Sequence, residues 1–486
     1  MATLALRTGT GTRPVVLAVP VAPPTDGDVG TLPDGVVPAD LTGPLAAFLA
    51  DVEHAGTAGT THVLPRPGAR PHRVVLVGIG AGNAADWRAA GAGVVRAVTT
   101  DTTVTVALPD GTEPDAVAGF AEGALLAAYR YTLKSAKDDE PTLRRITLAV
   151  DDPERYAAAL DRGRTVAEAC VLARDWTNTP SGEKSPAWLA AAVVREAERA
   201  GVRIRVRDAD ALAAEGFGGV LAVGSGSPRP PKLVELRWRP RGATRHVVLV
   251  GKGITYDTGG IQLKPAASML LMKKDMAGAA AVAAATVGAA RLGLPVKITA
   301  LLPMADNFLS GDAFRPGDVV RHYGGLTSEI QNTDAEGRIV LADALAYAVR
   351  RLAPDVVVDL ATLTGAQSVA LGKKTAALYA ADDVLAAAFT EAADAAGEPV
   401  WRMPMPDDYV DAVRTSLVAD LNNAPIHGIA GSVMAALFLR EFLGDRAGQW
   451  LHVDMSGPAW SSAVDGVHAK GATGWGVRTL LNFLDQ

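Results

Sequence analysis

The sequence predicts an α/β protein in which a smaller N-terminal α/β domain is joined by a helix to a larger C-terminal α/β domain. Three observations predict it. Short β-branched runs alternate with alanine-rich helical stretches along most of the chain. A cluster of turn residues, TNTPSGEKSP, interrupts that alternation after a charged helical segment. The 486 residues, 49% hydrophobic and 21% charged, are too many for one ordinary core. At about 150 residues per domain the length alone suggests about three domains, but the pattern resolves two. These are residues 1–152, a linking helix at 153–174, and residues 175–486.

In the first region, runs at 15–19, 74–77, 103–107 and 146–150 read as strands, and stretches near 84–97 and 115–128 as helices. Beyond the linking helix, strands are expected at 203–207, 219–223, 232–237, 246–250, 296–302 and 355–360. Helices are expected near 187–200, 276–292 and 339–353, the last carrying an i, i+4 apolar stripe from Val340 to Leu352. More helix follows at 407–415 and 431–443, and no internal repeat is visible.

Composition excludes several chemistries. The single Cys170 rules out an internal disulfide and any multi-thiolate zinc or iron–sulfur site. The eight histidines fall at 54, 62, 72, 246, 322, 427, 452 and 468, so no HxxxH zinc motif exists. Oxygen ligands would have to do most of the work of holding any metal. A formal charge of -6 disfavours nucleic acid as a main partner. Arg203, Arg205 and Arg207, which alternate onto one strand face, and the basic stretch 229–245 read as a solvated or subunit-contact face. The amino terminus is broken by Pro20 and followed by Asp26 and Asp28, which suits a strand, not a signal peptide. The uncharged run Met276–Ala290 is too short and too alanine-rich for a bilayer and reads as a buried helix. No membrane contact and cytoplasmic residence are the expectations.

Two glycine motifs are decoys. Gly80, Gly82 and Ala85 satisfy the permissive dinucleotide form GxGxxA, but no ribose-binding acid follows at the required distance, so a tight strand-to-helix turn is expected. Gly251-Lys252-Gly253 lacks the spacing of a phosphate loop. No GxSxG elbow or cysteine–histidine signature is present.

Between 250 and 340 the polar residues carry chemistry. The strand 246–250 runs into GKGITYDTGGIQLKP, placing Lys252 and Asp257 at a strand's carboxyl end, with Gly259-Gly260 and Lys264 following. Asp275 precedes the alanine-rich helix, where taken alone it reads as a helix cap. In NTDAEGR, an extended backbone would put Asp334, Glu336 and Arg338 on one side. Neighbouring carboxylates repel unless a cation or proton neutralises them.

These residues resemble the leucyl aminopeptidase family, the two-metal cytosol aminopeptidases. The resemblance rests on NTDAEGRI at 332–339, VGKG-T-D-GG at 250–260, KP at 264–265, MK-DM at 272–276 and RPGD at 315–318. ARDW at 173–176, DLATLTGA at 359–366, ADLNN at 419–423 and AKGATG at 469–474 add to it. It covers the whole second domain, for which it implies a metallo-aminopeptidase catalytic domain with a central mixed sheet flanked by helices. Carried over, Asp257, Asp334 and Glu336 would hold one metal, assisted by the Asp334 carbonyl. Lys252, Asp257, Asp275 and Glu336 would hold the other. Two divalent ions, Mn2+ or Zn2+, would activate a water for hydrolysis of the first peptide bond. Lys264 would stabilise the oxyanion, and Arg338 would hold a bicarbonate serving as base.

The resemblance also implies peptide substrates with leucine-like amino termini and a homo-oligomer, a hexamer. Met272, Thr362, Gly365 and Ala366 would line the side-chain pocket, although core packing is the plain reading of Met272. Where the family commonly has AGTAW, this chain has Ser456-Gly457-Pro458-Ala459-Trp460, expected to make the pocket rim more polar. Two alternatives remain: a specialised di-metal dipeptidase or amidohydrolase, and a DNA-contacting protein on the same fold.

Overall fold

The β-branched runs of the N-terminal region pair into one six-stranded sheet. In the computed structural model of the protein, which describes residues 2–8, 14–135, 143–424 and 429–486, this region contains β1 (Thr3–Thr8), β2 (Val16–Val21), α1 (Thr42–Asp51), β3 (Thr61–Pro65) and β4 (Arg73–Gly78). It continues with α2 (Ala84–Ala97), β5 (Thr103–Ala107), α3 (Pro114–Ala127) and β6 (Arg145–Val150). The strand order is β1-β6-β5-β2-β4-β3, parallel except for β3 at one edge. The GxGxxA stretch is a strand-to-helix turn, with Gly80 at φ 51° and Asn83 accepting a bond from the Asp86 amide at 3.0 Å. The Asp86 carboxylate lies against Gly80, where a pyrophosphate would need to approach.

The linking helix α4 runs from Pro153 to Asn178. The chain divides into two compact units inside this helix, between Glu168 and Ala169, and Ala463–Lys470 belongs with the first unit. The helix was expected to end at 174 and the junction to lie in the turn cluster beyond. The division falls earlier because each end of α4 packs within its own unit. Gly163 closes onto the Ala118 carbonyl, so near that an added Cβ would sit 2.3 Å from it, and Arg174 Nε donates to the Thr473 carbonyl at 2.8 Å.

The second unit opens with α5 (Pro186–Arg199), β7 (Arg203–Arg207), α6 (Ala209–Glu215), α7 (Gly218–Gly224), β8 (Lys232–Trp238), β9 (His246–Gly251) and β10 (Gly253–Asp257). Then come α8 (Ala266–Met269), α9 (Ala277–Leu292), β11 (Lys297–Asn307), β12 (Val319–Arg321), β13 (Thr327–Glu329), α10 (Glu336–Tyr347) and β14 (Val356–Ala361). The unit closes with α11 (Gly365–Leu371), β15 (Ala376–Ala380), α12 (Asp383–Ala396), β16 (Val400–Arg402), β17 (Leu421–Asn422), α13 (Gly431–Arg440), β18 (Trp450–Asp454) and α14 (Val477–Leu484). The main sheet has the order β16-β15-β18-β14-β9-β11-β8-β7, with β10 added beside β11. It is mixed: β9, β11, β14 and β18 run parallel, whereas β8 opposes β11 and β15 opposes β18.

Helix α9 is buried from Ala277 to Ala290, as its lack of charge requires. Its small residues let it lie close to the sheet, since a Cβ on Gly278 would stand 2.1 Å from the Leu360 carbonyl. On the other face, α10 and α13 pack their apolar sides into the core with Val248, Val250 and Leu301.

Three expectations are corrected. Residues 219–223 are helical, as α7. Gly218 and Gly219 bring that helix within an added-Cβ distance of 2.1 Å from the Arg321 carbonyl and 2.6 Å from that of Ile339, and Asp343 accepts the Val220 amide at 2.9 Å. A valine-rich run reads as a strand only until packing offers a helix a partner. Arg207 is not on a solvated face: it is buried against Glu215, Glu235 and the Tyr347 hydroxyl. The segment 407–413 is a 3-10 helix, not a longer α-helix. His427 lies outside the described residues.

Candidate metal centre

The carboxyl ends of β9, β10, β11 and β14 converge, and the loops leaving them build the site. Lys252 bridges β9 and β10, its amide donating to the Leu360 carbonyl at 3.0 Å and its carbonyl accepting from the Ala279 amide at 2.9 Å. Parallel pairing of β10 with β11 sets Asp257 beside Asn307. Asn307 Nδ2 and the Gly259 amide donate to Asp257 Oδ1 at 2.8 and 2.9 Å, leaving Oδ2 to face Lys264 at 2.7 Å. The chain turns back through Gly259, at φ 87°, where a Cβ would meet the Gln262 carbonyl at 2.6 Å. Thr333 locks this turn to the next segment by donating to the Gly259 carbonyl at 2.7 Å. Lys264 Nζ then reaches both Asp257 and Asp334.

Glu336 is the first residue of α10, and Arg338 lies in the same turn. The extended backbone expected here is corrected: the helix begins at Glu336, three residues before its expected start at 339. A carboxylate in a first turn is favoured by the helix dipole. Gly337 admits Lys252 alongside, because a Cβ there would sit 2.5 Å from Lys252 Cε. Lys252 Nζ consequently contacts Glu336 Oε1 and Asp275 Oδ2, each at 2.8 Å, and donates to the Thr362 carbonyl at 3.0 Å. Asp275 does not cap α9, whose N-cap is Met276. It ends a 3-10 turn, Met272–Lys274, and accepts from Thr362 Oγ1 at 2.7 Å.

Lys252, Asp257, Asp275 and Glu336 are each no more than 3% exposed. Burial, then the charges of Glu336 and Asp275, push the Asp257 carboxyl well above its usual range. Burial likewise raises Asp275, to about 6, against the pull of Lys252. Burial and Glu336 raise Asp334. Burial also opposes the charge on Glu336, but Lys252 and Lys264 outweigh it and hold that carboxyl below its usual range. Burial would strip the proton from either lysine, yet the surrounding carboxylates keep both charged.

Three carboxyls, Asp257, Asp275 and Asp334, thus take the negative charge poorly, which is the condition a divalent cation relieves. Asp257, Asp334 and Glu336 can each offer an oxygen, mutually within 4.8 Å. Asp275 completes an oxygen-rich set on the other side of Lys252. These residues fit hard or borderline divalent ions. Arg338 is buried, its Nη1 donating to the Asn423 carbonyl at 2.7 Å while Nε finds no hydrogen-bond partner among the described residues. Burial lowers its pKa to about 10, against the pull of Glu336 and Asp454.

The structure thus brings together all seven metal-binding and catalytic candidates. Of the pocket candidates, Thr362 commits its hydroxyl to Asp275, Met272 is half-buried in the 3-10 turn, and Gly365 and Ala366 open α11 behind the Thr364 cap. Sequence reasoning missed Asn307, Thr333 and Asp454, which lie beyond the family blocks or act through them. Asp454 accepts the amides of Leu363 and Thr364 at 3.0 Å each and so holds the loop that carries Thr362. The Ser456 hydroxyl also donates to Asp454, at 2.9 Å. It is therefore spent internally, contrary to the expected polar rim.

A Ser–His–Asp constellation exists elsewhere, with Ser328 Oγ 2.7 Å from His322 Nε2 and His322 Nδ1 3.3 Å from Asp343. Each of the three is at most 1% exposed. Asp343 is occupied by the amides of Val220 and Tyr323, so no substrate reaches a nucleophile there.

Residues 171–481 match the cytosol aminopeptidase family, catalytic domain, and residues 19–137 match that family's N-terminal domain. A probable cytosol aminopeptidase of Micrococcus luteus is 44% identical over 487 residues, 94% of each chain. That of Streptomyces avermitilis is 41% identical, covering 99% of this chain and 98% of its own. Among solved structures, the bottromycin maturation enzyme BotP in complex with Mn is 37% identical with a TM-score of 0.84, covering 97% of this chain and 99% of its own. With four buried or half-buried carboxylates and two lysines in the family's blocks, the chain belongs to the cytosol aminopeptidase family and is a metal-dependent aminopeptidase.

Proposed function

We propose that the protein removes leucine-like residues from peptide amino termini by a two-metal mechanism. The observation that carries this reading is the convergence of Asp257, Asp275, Asp334 and Glu336 around Lys252 and Lys264 at the sheet's strand ends. Asp257, Asp334 and Glu336 would hold one ion, and Lys252, Asp257, Asp275 and Glu336 the other. Bound there, two divalent ions supply a lowered water pKa and polarisation of the scissile carbonyl.

The chain's own groups do the rest. Lys264, fixed between Asp257 and Asp334, points its ammonium into the same space and donates to the carbonyl oxygen as negative charge develops. Arg338, whose Nε has no hydrogen-bond partner among the described residues, would hold a bicarbonate-like anion to serve as the base. Thr362 fixes Asp275 and contributes its carbonyl to Lys252, so the pocket wall and the metal ligands are one hydrogen-bonded unit. Met272, Gly365 and Ala366 would line the pocket for a branched aliphatic side chain, a reading supported by the open space at Gly365, where an added Cβ would meet nothing within 4 Å.

Mn2+ and Zn2+ both suit carboxylates with one amine. No described helix is long and apolar enough to cross a membrane. The reading includes a cytoplasmic hexamer, supported by the family and by exposed Ile261, Leu263 and Leu270 in the chain beside the site. Sizing chromatography should return about six times the 50.1 kDa chain mass.

Leucine p-nitroanilide and a dipeptide panel, assayed with chelator and then with added Mn2+ or Zn2+, test the main reading. Hydrolysis that resists chelation, or that no metal restores, would reject it. A second reading, a peptidase dedicated to maturing one peptide product, is favoured by the similarity to BotP along 97% of this chain. Turnover of one extended peptide with no activity on the panel would select it.

A further inference from the structure

The ligands proposed above differ in how the fold holds them. Asp257 ends a strand and Glu336 begins a twelve-residue helix, so the backbone of each is fixed by regular hydrogen bonding. Asp275 follows a three-residue 3-10 turn and belongs to neither strand nor α-helix. Something else must hold it. The turn cluster TNTPSGEKSP, which reads as a plain connection, supplies Lys184, fully buried although it is a lysine in a loop.

Lys184 Nζ donates to the carbonyls of Trp176 at 3.0 Å and Thr177 at 2.9 Å, in the last turn of α4. It also donates to the Lys273 carbonyl at 2.5 Å, inside the 3-10 turn, and lies 3.3 Å from Met276 Sδ. The last carbonyls of a helix lack intrahelical donors, and a cation is favoured beside them. Two helical ends therefore converge on one ammonium. The link is reciprocated, because Lys273 Nζ donates to the Asn178 carbonyl at 2.8 Å. Lys274 Nζ ties the following residue to the Ser456 carbonyl at 2.7 Å. The peptide units on the amino-terminal side of Asp275 are thus tethered to the end of α4.

We infer that Lys184 and Lys273 form a reciprocal clamp between the end of α4 and the 272–274 turn, and that this clamp positions Asp275 for one of the two metal ions. Lys184 is a positioning residue: it touches neither a proposed ligand nor substrate, and acts through the backbone that carries Asp275. The inference rests on the two-metal reading, and specifically on Asp275 as a ligand of one ion only. Loss of an outer contact of this kind lowers metal affinity by about 10- to 100-fold.

The test is calorimetric titration of Mn2+ into the metal-stripped full chain, with circular dichroism checking that each variant is folded. The reference is Asp275→Asn, which should lose one of two binding events. Lys184→Met should weaken that same event by about tenfold or more and leave the other within about twofold. Lys273→Met, which removes the returning link together with the ammonium's contact over the Trp460 ring, should weaken it about threefold. Wild-type affinities for both ions in these two lysine variants would overturn the clamp, as would equal weakening of both ions, the mark of a general packing role. Should Lys184→Met fail to fold, Lys273→Met decides by the same criteria. If Asp275→Asn keeps both ions at full affinity, the assignment of Asp275 as a ligand is what fails, and the clamp loses its object.

Discussion

The second unit contains two constellations with the side chains of hydrolytic enzymes, and they differ in how well each is satisfied. Ser328 and His322 are hydrogen-bonded and Asp343 stands 3.3 Å beyond the ring, but that carboxylate is occupied by backbone amides and all three are sealed in the core. The carboxylates around Lys252 and Lys264 crowd like charges at strand ends, with Asp257, Asp275 and Asp334 pushed up by burial and by the charge of Glu336. A triad-like arrangement whose carboxylate is already satisfied by backbone amides marks a core network. Uncompensated charge aimed at a shared space marks a place where something must bind.

The sharpest way to break this contrast is Asp257→Asn. It removes the carboxylate proposed to serve both ions and should lower turnover by about a thousandfold or more while leaving the fold intact; near-normal kcat/KM with retained metal would remove the basis for the site. Lys264→Met comes next, with kcat falling about a hundred- to a thousandfold and metal content unchanged. Arg338→Ala should cost about a hundredfold and abolish any dependence on added bicarbonate; unchanged turnover and dependence would show that the anion is not held there. Ser328→Ala tests the other side of the comparison. It should leave kcat within about twofold and lower stability by about 1–3 kcal/mol, because His322 loses a buried partner. Loss of turnover in a folded Ser328→Ala would invert the contrast.

The smallest effect concerns a third buried pair, His452 Nδ1 with Asp359 Oδ1 at 2.6 Å. Burial disfavours the imidazolium, but Asp359 outweighs it and raises the His452 pKa above 6.5. A folded pKa above the unfolded one gives stability that is fully present below about pH 6.5 and is lost as pH rises through the folded value. Denaturant melts across that window should therefore show a falling stability that His452→Gln lacks, differing by at most about 1.4 kcal/mol per pH unit. Parallel pH profiles for the two proteins would show that His452 does not carry the proton.

Much of the fold was legible locally. The 103–107 strand, the helices of 84–97 and 276–292, and the burial of the uncharged run all follow from periodicity and charge, which report on a segment's own backbone and environment. The 219–223 run misled because its valines suit a strand, whereas its glycines matter only once α10 is there to be approached. Strands β15 and β18, at the far side of the sheet, escaped notice among alanine-rich and mixed stretches.

The seven proposed metal-binding and catalytic residues were legible because their types and order sit in contiguous blocks. Their supports were not. Asn307 reaches Asp257 across 50 residues, and Lys184 reaches the Lys273 carbonyl across 89. The sequence by itself determined which charges this protein carries, that oxygen and amine donors must serve where thiols and clustered imidazoles are lacking, and which segments become strand or helix. Only the tertiary structure decided that Lys184 is a buried tether and Ser328 a sealed core hydroxyl. Hydrogen bonding and desolvation depend on neighbours that the chain supplies from distant positions, and those neighbours exist only once the sheet has assembled.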